Sequence, residues 1–221
     1  FIRPISKGVL YALKSMHGFI PNYGFVLIVF AFLIKLIVYP LTKKSYQSMS
    51  AMQAVAPEIN ELKEKYKSNP TKLNQATMEL YKKRGVNPLG GCLPMLLQMP
   101  LLFALFQVFR TTIELRAEPF IWWITDLSSP DTVLLLPFKI PIYGSHVAIL
   151  PVLMVVSMFV QQRMMSGAAQ QPQQKTMQYF MTAFFFLMFN GFPSGLNLYY
   201  TLFNVLTIAQ QKLIPPDNKP A

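Results

Sequence analysis

One ionisable side chain, Lys35, interrupts an otherwise uncharged run at 22–42. It lies in the inner half of that run, two helical turns before Lys43, too deep to be a flanking charge. An ammonium group at such depth normally faces protein or water and marks a functional site. The competing reading is that its stem snorkels to the interface and has no role. None of the other apolar runs holds an acid, which argues against a paired structural lysine and against a proton relay. Polar side chains recur at helical spacing elsewhere. Asn197, Tyr200, Thr201, Asn204, Thr207 and Gln211 form a ridge in the last apolar run. Ser157 pairs with Gln161 in another, Gln178 with Thr182 in a third, and Gln98 stands in a fourth. Such groups either hold helices together by hydrogen bonds or line a wet cleft that accepts polar stretches of a passing chain. Periodicity alone does not separate the two.

Other chemistry is poorly supplied. His17 and His146 are far apart, no Ser-His-Asp or Cys-His grouping lies in the apolar runs, and no P-loop or dinucleotide fingerprint is present. The lone Cys92 allows neither an intrachain disulfide nor a cysteine-rich metal site. The expectation is therefore a protein that is not an enzyme, with no catalytic residue, metal or cofactor. The net charge of +11 raises nucleic acid as a partner, but the 18 phenylalanines lie mostly in uncharged runs away from the lysines. Nucleic-acid binding wants the two interleaved, so it is not expected here.

The elements that would position these groups can be located from where the charge is. Of 221 residues 52% are hydrophobic and only 13% charged, with a mean hydropathy of +0.34. Thirteen of the 29 acidic and basic residues fall between Lys43 and Arg84, leaving the rest of the chain almost bare of charge. That composition excludes intrinsic disorder and points to a polytopic membrane protein in contact with lipid. Residues 1–20 carry an amphipathic helix suited to the interface plane. Span 22–42 is stopped by Pro40 and then Lys43 and Lys44. Residues 43–92 form a polar excursion with apolar stripes through Met52, Ile59 and Leu62 and through Leu80. Asn69-Pro70 supplies a turn and a helix start, so two helices pair as a hairpin. Further spans are expected at 93–113, 147–162, 177–190 and 196–214. An irregular, proline-rich loop covers 114–146, a flexible connection 163–176, a tight link 191–195 and a short tail 215–221. The chain opens on Phe1 without a methionine or a recognisable signal peptide, which reads as a fragment or processed product.

Basic residues set the orientation. Loop 43–92 carries nine Lys/Arg against four acids, whereas loop 114–146 carries two against four. With five spans this places the hairpin, the 163–176 connection and the C-terminus in the cytoplasm, and the first helix outside.

Three separated motifs then carry a resemblance. They are Lys35-Leu36-Ile37-Val38-Tyr39-Pro40-Leu41-Thr42; Asn87-Pro88-Leu89-Gly90-Gly91-Cys92-Leu93-Pro94 with Gln98-Met99-Pro100; and Phe192-Pro193-Ser194-Gly195 before Leu198-Tyr199-Tyr200. In this order the chain resembles the conserved core of the bacterial YidC insertases, of the Oxa1/Alb3 superfamily. The resemblance implies an all-alpha polytopic membrane protein. Five transmembrane helices would surround a hydrophilic groove open to the cytoplasm and to lipid and closed on the outer side, with a cytoplasmic helical hairpin and an interfacial N-terminal helix. It implies insertion of newly made membrane proteins into the bacterial inner membrane, alone or beside the Sec translocon, without nucleotide hydrolysis. The ribosome is a further expected partner, at the hairpin.

Lys35 matches the family's groove charge, usually arginine. Lysine keeps the charge and loses the guanidinium fork. Ala31 stands where a hydroxyl is common, and Tyr199 with Tyr200 matches a tyrosine pair near the groove. The expected lining is thus Gln98, Ser157, Gln178, Thr182, Asn197, Tyr199, Tyr200, Thr201 and Asn204, with Met52, Ile59, Leu62 and Leu80 as hairpin contacts. Readings left beside insertion are a chaperone or assembly factor that does not translocate, and a small channel or transporter.

Overall fold

The computed structural model describes residues 2–87, 93–141, 143–165 and 172–213. Most of the motif that begins at Asn87, part of the 163–176 connection and the 215–221 tail lie outside the described residues. The chain is mostly helical. In order come α1 (Ile2–His17), α2 (Tyr23–Ala54), α3 (Ala56–Lys65), α4 (Pro70–Lys83), α5 (Leu93–Thr111), β1 (Thr132–Ile140), β2 (Gly144–Ala148), α6 (Ile149–Met165), α7 (Pro172–Phe189) and α8 (Ser194–Leu213).

Helix α2 starts where Asn22 Oδ1 accepts the backbone N–H groups of Gly24 and Phe25, satisfying two of the orphan donors of a first turn. Pro40 and the lysines after it suggest a stop, yet the structure carries the helix to Ala54, well past the proline. Proline removes one ladder bond and leaves the later ones intact. The residues after it, from Leu41 to Ala54, hold no glycine and no further proline. Among the described residues α2 is the one helix long and apolar enough, by length and composition, to cross a membrane. Shorter apolar stretches lie at Ile149–Met164 and Tyr179–Phe189.

Asn69 caps α4 by accepting from Lys72 N–H at 3.0 Å, with Pro70 at the first helical position, as that pair predicts. Helices α3 and α4 fold back on each other, closed by an Arg84–Glu58 ion pair at 2.7 Å. Ile59 is buried, whereas Met52, Leu62 and Leu80 are half-buried. Met52 sits on α2 rather than on the hairpin.

The all-alpha expectation needs one correction. Within 114–146, read as an irregular loop, β1 and β2 pair as an antiparallel ribbon. Pro137 and Pro141 suggest irregularity, because proline cannot donate to a ladder. The ribbon takes up Pro137 where its register shifts between Leu135 and Ile140, a bulge that leaves the proline without a required partner.

A single apolar cluster joins the elements. Val26, Leu27 and Phe30 of α2 meet Leu105 and Phe109 of α5, Leu150 and Met154 of α6, and Leu196 and Tyr199 of α8. Helix α1 buries Val9 and Leu13 in it and stacks His17 on Tyr23 at 4.0 Å. Gly24 and Gly195 mark two close approaches. A Cβ at Gly24 would collide with the Phe120 ring, and one at Gly195 would collide with the Phe109 ring.

Candidate functional site

Lys35, Val38, Thr42 and Tyr46 share one face of α2, and they meet Gln98 and Leu101 of α5, Gln161 of α6, and Phe203 and Thr207 of α8 around a small cavity. Helical spacing of three and four residues explains why these α2 side chains align. The Lys35 stem does not run out along the lipid face. It turns inward, is 7% exposed, and places Nζ 4.1 Å above the Phe203 ring and 3.3 Å from Gln210 Oε1. No acidic partner faces it among the described residues. An unpaired ammonium is costly to bury, and the ring face and the amide oxygen together supply part of what water would.

Above the lysine, Gln98 faces the hydroxyls of Tyr199 and Tyr200 without a bond of good geometry. Gln98 Nε2, both phenolic oxygens and both polar atoms of Gln211 lack partners among the described residues. Buried polar groups are rarely left so. Of these, Gln98 lines the cavity together with the Tyr46 hydroxyl, which also lacks a partner among the described residues, and such groups are suited to hold water there.

The other expected lining residues divide. Asn204 Nδ2 donates to Ser157 Oγ at 3.2 Å, so the α6 and α8 ridges do meet. Thr182 Oγ1 donates to Gln162 Oε1 at 3.2 Å, which ties α7 to α6. Asn197 donates to the carbonyls of Phe189 and Phe192 and holds the α7–α8 turn, and Thr201 donates to the Asn197 carbonyl on its own helix. The Gln178 side chain lies outside the described residues. Sequence reasoning missed Gln210, Thr42, Phe203 and Tyr46. Gln210 comes three residues after Thr207 and Gln211 four, so the ridge pattern admitted either.

The opposite end of the bundle holds a second polar constellation that sequence reasoning also missed. Asn190, fully buried, donates to the carbonyls of Tyr143 and His146 at 2.8 Å and accepts from Ala148 N–H at 3.2 Å. Asp131 Oδ2 accepts from Ile149 N–H, Leu150 N–H and Trp123 Nε1–H, capping α6. Ser194 donates to the Asp126 carbonyl, and the Gly195 N–H to the Leu127 carbonyl. The Phe192-Pro193-Ser194-Gly195 motif thus docks on the 126–129 segment, where only glycine leaves room for Phe109. Asp126 sits at the same place. Burial works against its charge, but bonds from the Ser128 hydroxyl and N–H, the Ser129 hydroxyl and the Ala117 N–H outweigh it and hold the carboxyl below its ordinary range.

Comparison with known proteins identifies the family. The family model described as 60Kd inner membrane protein matches residues 15–219. A protein of Chlorobium luteolum named membrane protein insertase YidC is 51% identical over 210 residues, 95% of this chain and 36% of that relative. One of Prosthecochloris aestuarii with the same name is 48% identical over 224 residues, 99% of this chain and 38% of that relative. A crystal structure described as an active YidC insertase with the first transmembrane domain resolved superposes with a TM-score of 0.70 at 26% identity, covering 95% of this chain and 46% of that one. The chain therefore spans little more than a third of the length of the curated relatives it matches. The resemblance drawn from the three motifs is borne out, and the chain belongs to the 60Kd inner membrane protein family.

Proposed function

We propose that this chain moves hydrophobic segments and short polar tails of newly made proteins into and across the bacterial inner membrane, through the cavity around Lys35. The carrying observation is the inward-turned Lys35 ammonium beside unpartnered amide and phenol groups, in a chain half-identical to proteins named insertases. A polar recess inside the bilayer lowers the desolvation cost of a client's hydrophilic tail. A cation without a carboxylate partner attracts acidic residues and releases them again. The client's apolar segment, about 20 residues long, then leaves sideways into lipid, driven by burial of its surface. No nucleotide hydrolysis enters this scheme.

In this reading five helices cross the membrane: α2 through its apolar half, and α5 to α8. Helix α1 and the β-ribbon lie outside, and the hairpin and the C-terminus in the cytoplasm. The basic hairpin receives clients or the ribosome, with the Sec translocon as a lateral partner. Asp131, Asn190 and the docked turn close the outer side.

The test reconstitutes the purified protein in liposomes and measures protease protection of a small client with an acidic tail, against empty liposomes and against Lys35→Ala. Protection by the native protein and its loss in Lys35→Ala support the scheme. Equal protection by both keeps insertion and removes the role of the charge. No protection above empty liposomes, with folded protein, favours a chaperone that does not translocate or a required Sec partner.

A further inference from the structure

Lys35 does not choose its own position. Its acceptor, Gln210 Oε1, belongs to an amide whose other end donates from Nε2 to Thr42 Oγ1 at 2.8 Å. Thr42 lies two turns beyond Lys35 on the same helix, and both Thr42 and Gln210 are buried, at 3% and 8% exposure. The Thr42 hydroxyl has one proton, and the carbonyls of Val38 and Tyr39 stand at 3.1 and 3.0 Å to take it. Thr42 Oγ1 is then left only as an acceptor. It must meet the NH2 end of Gln210, which turns the carbonyl end towards the ammonium. The flipped amide would set NH2 against a cation and a carbonyl against lone pairs. The hydrogen-bond network therefore settles the orientation of the amide.

We infer that Gln210 is the positioning residue of the groove charge, and that Thr42 fixes which end of Gln210 the lysine sees. Phe203, two turns before Gln210 on α8, covers the amine from the other side. A neutral amide is a suitable holder. It keeps Nζ at the cavity wall yet yields to a carboxylate, which brings a full opposite charge as well as an acceptor oxygen. A glutamate at the same place would hold the lysine permanently. The client-selectivity part of this inference rests on the proposed insertase role; the positioning part does not.

The test uses the full chain in liposomes with two readouts: the insertion ratio of an acidic-tailed to a neutral-tailed client, and the rate at which a neutral, membrane-permeable amine reagent modifies Lys35, read by peptide mass spectrometry without any client. Gln210→Glu should lower the insertion ratio about tenfold by occupying the charge. Thr42→Val and Gln210→Leu should each speed Lys35 modification about fivefold, since an amine that loses its held acceptor moves towards water. Thr42→Ser, which keeps the hydroxyl, should restore the native rate, an outcome that general loosening of the bundle would not produce. Native-like modification rates in Thr42→Val and Gln210→Leu overturn the inference, and so does an unchanged insertion ratio in Gln210→Glu. Should the native protein insert neither client, the insertase role fails while the modification rates still decide the positioning. Should Gln210→Leu fail to fold, the Thr42 pair decides alone.

Discussion

Around the α7–α8 turn, buried polar side chains spend themselves on backbone: Asn190 bonds three main-chain groups, Asp131 caps α6, and Ser194 and Gly195 lock onto the 126–129 segment. Around Lys35 the polar side chains also bond one another, as Lys35, Gln210 and Thr42 do, and unpartnered atoms are more numerous among the described residues, on Tyr46, Gln98, Tyr199, Tyr200 and Gln211 against Asp131 and Asn197 at the other end. The first arrangement rigidifies, because every broken bond would strand a buried group. The second gives up stability for polar space that something else can fill. In the proposed scheme one molecule thus has an end built to stay shut beside a cavity built to be entered.

Substitutions at the two ends should behave in opposite ways. Asn190→Ala strands two carbonyls and one N–H in the sealed end and should cost about 3 kcal/mol or more, read by thermal unfolding in detergent. Gly195→Ala forces a methyl against the Phe109 ring and should cost about 2 kcal/mol. Gly191→Ala, one turn away with open space around it, should change stability by no more than about 0.5 kcal/mol. At the cavity the sign reverses. Lys35→Met replaces a buried unpaired charge with an apolar chain and should leave stability unchanged or raise it by about 1 kcal/mol, even as acidic-tailed clients lose insertion. A clear loss of stability there would mean that the lysine holds the fold.

The acid limb tests the sealed end more gently. Asp126 has its folded pKa depressed, so its stabilising contribution is complete above the unfolded value of about 3.9 and is lost as pH falls through the lower folded value. Unfolding measured from pH 5 down to about pH 2 should show this loss, and Asp126→Asn should show less of it. A small effect also belongs to the exposed Arg84–Glu58 pair. Arg84→Ala should cost under about 1 kcal/mol, and the difference should shrink in high salt.

Legibility in the sequence divides along the same line. Lys35 stood out because a lone charge in an apolar run has few explanations, and the Ser157 and Asn204 ridges met as helical spacing predicts. Asn69-Pro70 announced the start of α4 because capping is local chemistry. Gln210 was hidden beside Gln211, since steps of three and four share a helix face. Asn190 and Asp131 were hidden because, the Trp123 indole aside, their side chains bond main-chain groups 18 to 47 residues away, which leave no side-chain signature. Pro40 misled because a helix can lose one bond and continue, and Pro137 because a bulge absorbs it.

The unbroken course of α2 through Pro40 has a mechanical consequence. Thirty-two helical residues measure about 48 Å, against about 30 Å of hydrocarbon core. In the proposed topology, with the apolar half in the bilayer, the rest of the helix would stand out as a stalk with the hairpin at its tip, braced where Gln53 reaches the Met164 carbonyl and Ser48 the Asn87 carbonyl. Lys35 lies about 28 Å from that tip along the same rod, so each degree of tilt about the lysine swings the hairpin by about 0.5 Å. Whatever docks on the hairpin therefore has a handle on the rod that carries Lys35.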